Sequence, residues 1–354
     1  KVTIICWARS VSGEPISAPQ NEFVNGIYIH RVFAPVSTPE QPLTKRIFQH
    51  IQAKWQLSLA LNSIDSDAIH FHDLDTAVIS LFNKTSKPWI YDAHEDYSGM
   101  ISHLAWPLPA VATLLEKYVV SKSDGVITVS PSIMKRLASY GAKRRLMIFN
   151  SRTTEHFSSN IRSREFRKEL GIDPSKLTLL YIGSLGPGRS VMEAIDAVNS
   201  SEKNHLILGG HGMWASKVSE AIRDSKNVTF LGTVSSDDLP KYFSIADVIL
   251  GMRNPSIPDH AISLPNKFFE AAAAKKPILA SSGTFVGELV SKYKLGKLAN
   301  YGSVDSLLES LDSLRDVELR TKCGNSGADL LSGKFGWKWQ ARKLNLLYNN
   351  LVKK

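Results

Sequence analysis

Only two cysteines, Cys6 and Cys323, occur in the 354 residues, and they lie too far apart to form a disulfide framework or a thiolate metal motif. That scarcity points to a reducing, cytosolic compartment. Long apolar runs are missing as well: the longest are broken by Lys, Asp, Ser or Gly within about eight residues, short of the roughly 18–20 that a spanning helix needs. There is no low-complexity tract and no solenoid repeat. Acidic residues are outnumbered, 33 against 43 Lys and Arg, for a net charge of +10, which favours acidic partners such as nucleotide phosphates, anionic lipid or nucleic acid. The basic residues fall in short separate clusters with no zinc-finger or RNP-like signature, so nucleic acid is not expected. What remains, 43% hydrophobic and 21% charged, is a folded globular composition, and at roughly 150 residues per domain the length suggests two domains.

Short runs of Val, Ile and Leu alternate with helical periodicity from end to end, the pattern of parallel sheets buried between helices. In the first half the strands are expected at Val2–Trp7, Ile27–Phe33, Ala68–His72, Trp89–Asp92, Gly125–Val129 and Leu146–Phe149. In the second half they are expected at Leu177–Ile182, His205–Leu208, Val228–Leu231, Val248–Gly251 and Pro277–Ala280, so that each half reads as its own doubly wound α/β sheet. The polar stretch 150–165 is the expected interdomain linker, and a helix is expected over Trp337–Val352. In Leu43, Ile47, Ile51, Trp55 and Leu59 an i, i+4 stripe makes an amphipathic helix with basic flanks; it is expected to face the core, with contact to a membrane surface as the alternative. The segment Ile101–Ala112, with Trp106, Pro107, Leu108 and Pro109, reads either as an apolar loop beside a lipid-like substrate or as packing at the domain interface.

Ligands of open parallel sheets bind beyond the carboxyl ends of the strands. Four segments meet that condition. In Tyr91-Asp92-Ala93-His94-Glu95-Asp96 a histidine stands beside carboxylates that can orient and tune it. In Tyr181 to Ser190 a strand feeds a glycine-rich turn with Arg189 at the start of a helix; small residues admit a phosphate to the backbone and Arg grips it bidentately. Leu208-Gly209-Gly210-His211-Gly212 makes room for a ligand or for tight strand-to-helix packing. In Ser263 to Glu270, Pro265 suits a first helical turn whose free N–H groups attract an anion, while Asn266 and Glu270 share a face from which a carboxylate can accept ribose hydroxyls. His70 and His72, two apart on a strand and followed by Asp73 and Asp75, raise a metal site, but no third ligand has matching spacing and a strand-end polar cluster is preferred.

Taken together, these residues resemble the retaining glycosyltransferases of the GT-B fold, family 4. The marks are Tyr181-Ile182-Gly183-Ser184-Leu185 followed by Arg189, Leu208 to Gly212, Val228-Thr229-Phe230-Leu231-Gly232, and Leu264-Pro265-Asn266-Lys267-Phe268-Phe269-Glu270 leading to Lys276-Pro277-Ile278-Leu279-Ala280-Ser281. In the first half Asp67 to Asp73, Tyr91 to Glu95 and Phe149-Asn150 look like the corresponding segments of that family. The resemblance implies two Rossmann-like domains facing a cleft: 1–155 for the acceptor, 156–334 for the donor, and 335–354 as a helix crossing back. It implies a catalytic set of His94, Arg189 and Glu270, with Arg189 neutralising the donor diphosphate, Glu270 holding ribose and His94 near the reacting sugar. Gly183, Ser184, Gly188, Gly210, His211, Leu264, Pro265, Asn266 and Lys267 would line the donor, and His72, Asp73, Glu95 and Tyr97 the acceptor side. No metal and no cofactor is expected, since cations of the chain take the metal's place.

The sequence departs from that pattern in three places. Ser184 stands where relatives often carry Arg. Ile262 stands where the first of two paired glutamates is usual, with Asp259 and His260 nearby as substitutes. The usual first strand, glycine-rich loop and helix have no counterpart before Lys1. The expected activity is transfer of a sugar from a nucleotide-diphosphate-sugar to an acceptor hydroxyl of a glycan, lipid-linked saccharide or small molecule, with retention, in the cytoplasm or at the cytoplasmic face of a membrane. A non-catalytic sugar-nucleotide-binding homologue and a GT-B-type epimerase are the alternatives.

Overall fold

The computed structural model describes residues 1–8, 16–35, 41–83, 85–101, 106–157 and 163–352. Parts of two expected features, the linker at 150–165 and the apolar segment Ile101–Ala112, lie outside them. The chain forms two compact units. One contains Lys1–Thr128, Met134–Leu146 and Leu346–Lys354, and the other Val129–Ile133 and Met147–Asn345.

In the second unit six strands make one parallel sheet: β8 (Leu177–Ile182), β9 (Asn204–Gly209), β10 (Val228–Phe230), β11 (Val248–Leu250), β12 (Ile278–Ser281) and β13 (Gly296–Ala299), in the order β10-β9-β8-β11-β12-β13. Period-2 alternation sorts their side chains between two cores. Leu177, Leu179, Tyr181, Leu206, Leu208, Val248, Leu250 and Leu279 enter one, while Leu180, Ile207, Ile249, Ile278 and Ala280 enter the other. Both faces are thus buried by helices, as a parallel sheet requires. The strand order reverses between β8 and β11, which opens a crevice at their carboxyl ends.

The first unit differs from the single doubly wound sheet expected of it. Its strands β1 (Val2–Trp7), β2 (Asn21–Val24) and β3 (Ile27–Val32) form one three-stranded sheet in the order β1-β3-β2, and β4 (Ile69–His72), β5 (Trp89–Ala93), β6 (Gly125–Thr128) and β7 (Arg145–Met147) form a separate four-stranded sheet. β1 runs parallel to β3, but β2 pairs with β3 in antiparallel fashion through the two-residue turn Asn25-Gly26. Both turn residues have positive φ, 49° and 83°, the requirement of a type I′ hairpin that Asn-Gly meets at least cost. Neither β2 nor β13 was expected, because Asn21–Val24 and Gly296–Ala299 hold no run of Val, Ile and Leu.

The helix Leu43–Asn62 also reverses expectation. Ile47, Phe48, Ile51, Trp55 and Leu59 are 47–67% exposed, whereas Gln49, Ala53, Lys54, Leu57, Ser58 and Ala60 are buried. The inner face carries polar pairing as well as Ala53, Leu57 and Ala60: Lys54 forms an ion pair with Asp75 and lies 6.0 Å from the Trp7 ring centroid, and His50 meets Trp7 edge-on. Small residues at 53, 58 and 60 then allow close approach. β5, by contrast, is buried along its whole length.

Of the last helix, Trp337–Val352, residues to Asn345 belong with the second unit and those from Leu346 with the first. Among the described residues, no helix is long and apolar enough to cross a membrane.

Candidate functional site

The reversal point of the six-stranded sheet carries a pocket of about 350 Å³. Its lining comes from the ends of β8 and β11 and from the start of the helix Asn266–Ala273, and includes Gly183, Ser184, Arg189, Arg253, Pro265, Asn266, Lys267 and Glu270. Seven of these eight are residues expected at the donor. Arg253 was not, although its place three residues beyond β11, at the reversal point, was a signal that could have found it. Three cations and one carboxylate therefore share one concave surface.

Each has a definite setting. Lys267 holds its ammonium 3.5 Å from the centroid of the Tyr181 ring, and loss of water around it lowers its pKa to about 7, Glu270 opposing and Arg189 and Arg253 adding to the shift. Glu270 is 8% exposed; burial raises its carboxyl, while Lys267 and Arg152 act in the other direction. Arg152 Nη2 lies 3.6 Å from Glu270 Oε1. Arg253 donates to Ser263 Oγ, places Nη1 3.8 Å from Asp259, and its backbone N–H donates to Ser281 Oγ at 3.0 Å. Beside it the His260 imidazole is driven down to about 4, first by burial and then by Arg253 and Arg189. A neutral His260 cannot replace the missing glutamate charge, and the Asp259 carboxylate faces Arg253.

Other expected donor residues lie outside the lining. Leu264 is 5% exposed and belongs to the core. Gly188 has φ +76°, and a Cβ there would meet the His260 ring at 2.7 Å. Gly210 has φ +139°, and its absent Cβ lets it approach the carbonyl oxygen of Gly183, where a Cβ would stand 1.7 Å away. Its N–H donates to Gly232 O at 2.7 Å, and the exposed His211 accepts from Leu185 N–H at 2.8 Å through its carbonyl. These residues brace the loop that carries Gly183 and Ser184.

In the first unit a second polar cluster stands at the carboxyl ends of β4 and β5. His72 Nδ1 lies 3.0 Å from His94 Nε2, and His94 Nε2 lies 3.3 Å from Asp92 Oδ2. His70 bridges Asp92 Oδ2 at 3.0 Å and the Tyr348 hydroxyl at 2.5 Å. Burial works to raise the Asp92 carboxyl, but hydrogen bonds from His70 and His94 overcome it and hold it well below the usual range. Burial and His70 lower His72, whereas the bond to Asp92 raises His94. Asp73, at φ +60°, accepts the His94 N–H through Oδ1 at 2.9 Å, and its own carboxyl is raised by burial. Glu95 is exposed and Tyr97 half-buried, its hydroxyl raised by burial and by Asp75 and Asp73. Asp92, at the centre of the cluster, was not among the residues expected to act. Strand register made it findable, because Asp92 pairs with His72 across β4 and β5.

Comparison with known proteins gives the family and the fold. Residues 1–150 match the family described as Glycosyltransferase Family 4, and residues 162–329 match Glycosyl transferases group 1. A glycosyltransferase of Methanocaldococcus jannaschii is 25% identical over 337 residues, covering 90% of this chain and 83% of that protein. A GDP-mannose-dependent alpha-(1-6)-phosphatidylinositol monomannoside mannosyltransferase of Mycobacterium tuberculosis is 26% identical over 255 residues, 68% of this chain and 66% of its own. Among solved structures, sucrose-phosphate synthase from Thermosynechococcus elongatus superposes with a TM-score of 0.79 at 17% identity, covering 99% of this chain and 89% of that one. Anabaena HepE in complex with UDP-glucose gives 0.70 at 16% identity with full coverage of both chains. At such identities these two establish the fold.

Proposed function

Because the chain belongs to the glycosyltransferases of the GT-B fold, family 4 type, we propose that it moves a sugar from a nucleoside-diphosphate-sugar to an acceptor hydroxyl with retention of configuration. The observation that carries this reading is the pocket at the β8–β11 reversal, where Arg189, Arg253 and Lys267 converge with Glu270. A diphosphate needs concentrated positive charge in a site that excludes water, and a ribose needs an acceptor for its paired hydroxyls. The bond between the anomeric carbon and the diphosphate oxygen breaks with its electrons going to phosphate. Arg189 and Lys267 stabilise that charge, so the reaction runs without a metal ion at the diphosphate. The bond to the acceptor oxygen forms on the face that the diphosphate leaves, and the acceptor's hydroxyl proton passes to the departing phosphate oxygen.

His94 stands near the reacting sugar, and His72, Asp73, Glu95 and Tyr97 belong to the acceptor side. The mannosyltransferase depends on GDP-mannose and HepE is seen with UDP-glucose, which supports the donor class. The mannosyltransferase acts on a lipid-borne mannoside, which supports a glycan or lipid-linked acceptor.

A thermal-shift panel of UDP, GDP, ADP, CMP and their common sugar conjugates tests the donor site, since a ligand that binds only the folded state raises apparent stability. One nucleotide should stabilise the chain, and Arg189→Ala should reduce the shift while leaving the ligand-free melting temperature in place. Nuclear magnetic resonance of the product's anomeric proton should report the donor's configuration; inversion would refute the retaining assignment.

A further inference from the structure

We propose that His72, Asp92 and His94 form a binding site for a divalent transition-metal ion of the zinc class. The inference rests on the first unit's own geometry and is independent of the donor pocket. β4 and β5 are adjacent and parallel, and their register sets His72 beside Asp92. Asp92 lies on β5 and His94 directly follows the strand's last residue, Ala93, so both stand at its carboxyl end. Three Lewis-base atoms then make a triangle: His72 Nδ1 to His94 Nε2 is 3.0 Å, His94 Nε2 to Asp92 Oδ2 is 3.3 Å, and His72 Nδ1 to Asp92 Oδ2 is 3.8 Å. A tetrahedral ion with ligands at about 2.0–2.1 Å separates its ligand atoms by about 3.3–3.4 Å, inside the range of those three sides. Two imidazoles and a carboxylate are also the donor set that zinc takes where it keeps a fourth position open.

Two further observations point to a cation. Asp92 is 6% exposed, and its Oδ1 is buried without a hydrogen-bond partner. Its ion-pair partners among the described residues are the three imidazoles of His70, His72 and His94. His70 then does what a supporting residue does at a metal centre. It holds Asp92 Oδ2 through Nε2 while Tyr348 fixes its Nδ1, which sets the carboxylate's direction before any ion arrives. His70 is also close enough to take part itself, since ligand atoms of His70, His72 and Asp92 all lie within 4.8 Å of one another. The His72 side chain is 62% exposed, so an ion can enter from solvent and keep an outward position for water or a hydroxyl oxygen.

The test is direct binding to the full chain. Cobalt(II), which gives visible absorption bands in a tetrahedral nitrogen and oxygen site, should bind in a ratio of one per chain, and zinc should displace it. His72→Ala and His94→Ala should each weaken zinc binding by at least about tenfold in calorimetry, whereas His30→Ala, on β3, should leave it unchanged. Because His72 is exposed, its variant should keep the melting temperature of the parent, which separates lost ligation from lost folding. Absence of binding would overturn the site, as would binding that survives either ligand variant. The donor assignment is judged separately by nucleotide binding, so neither result decides the other.

Discussion

Lys267 meets two conflicting demands: it faces an aromatic ring in a partly enclosed site, and it must carry charge when a diphosphate arrives. With its pKa lowered to about 7 by lost hydration, it is mostly neutral at pH 8 in the empty pocket, and a bound dianion draws the proton back. Binding of a nucleotide sugar, whose own diphosphate does not titrate in this range, should therefore take up a proton at pH 8 and almost none at pH 6, and affinity should fall as pH rises above about 7. Calorimetry in buffers of differing ionisation enthalpy measures this, and Lys267→Met should abolish the proton uptake. Arg189 differs, since guanidinium keeps its charge throughout. Arg189→Ala should weaken the nucleotide by roughly ten- to a hundredfold at every pH, the scale of one or two charge-assisted hydrogen bonds. Strand-end position and residue type made Arg189, Lys267 and Glu270 legible in the sequence. Arg253 and Asp92 were less so, because each matters through neighbours that come from another strand.

At the scale of elements, the loops after β8, β9 and β10 form one unit. Gly183 N–H donates to Gly209 O, Gly210 N–H to Gly232 O, and the Gly210 backbone lies against the Gly183 carbonyl. Gly210→Ala adds both a clash and a strained φ, so it should cost about 2–4 kcal/mol in chemical denaturation and weaken nucleotide binding as the Gly183 loop shifts. Gly302→Ala offers the contrast: φ is +80° but open space surrounds the site, and strain alone should cost about 1 kcal/mol. The sequence left open whether the glycines after β9 serve a ligand or packing, and the structure gives Gly210 a packing task. Asn25-Gly26, in turn, was a legible hairpin signal that the hydrophobic pattern alone passes over, since β2 offers only four residues.

For the whole molecule, surface chemistry bears on where the enzyme works. The exposed stripe of the helix Leu43–Asn62 is matched on the helix Leu108–Lys122, where Leu108, Val111, Leu114 and Tyr118 are 43–65% exposed, with Trp106 just before it at 84%. Apolar side chains on a chain of net charge +10 suit an anionic membrane surface. The protein should co-sediment with vesicles containing anionic lipid and less so at high salt. Replacing Phe48 and Trp55 together by Asp should release it with little change in melting temperature, because both side chains are more than half exposed. Retention of binding in that variant would place the contact elsewhere.

By itself the sequence determined the alternation of strands and helices, the doubly wound second sheet, and the placing of Arg189, Lys267 and Glu270 at strand and helix ends. Those features follow from local period and local chemistry, which every residue carries with it. Tertiary structure alone decided which face of the helix Leu43–Asn62 turns inward, because the partners of the inner face, Trp7 for His50 and Asp75 for Lys54, come from distant parts of the chain. It alone divided the first unit's strands into two sheets and brought His72, Asp92 and His94 to one point. Pairing partners and register are properties of two segments at once, and no single segment's pattern contains them.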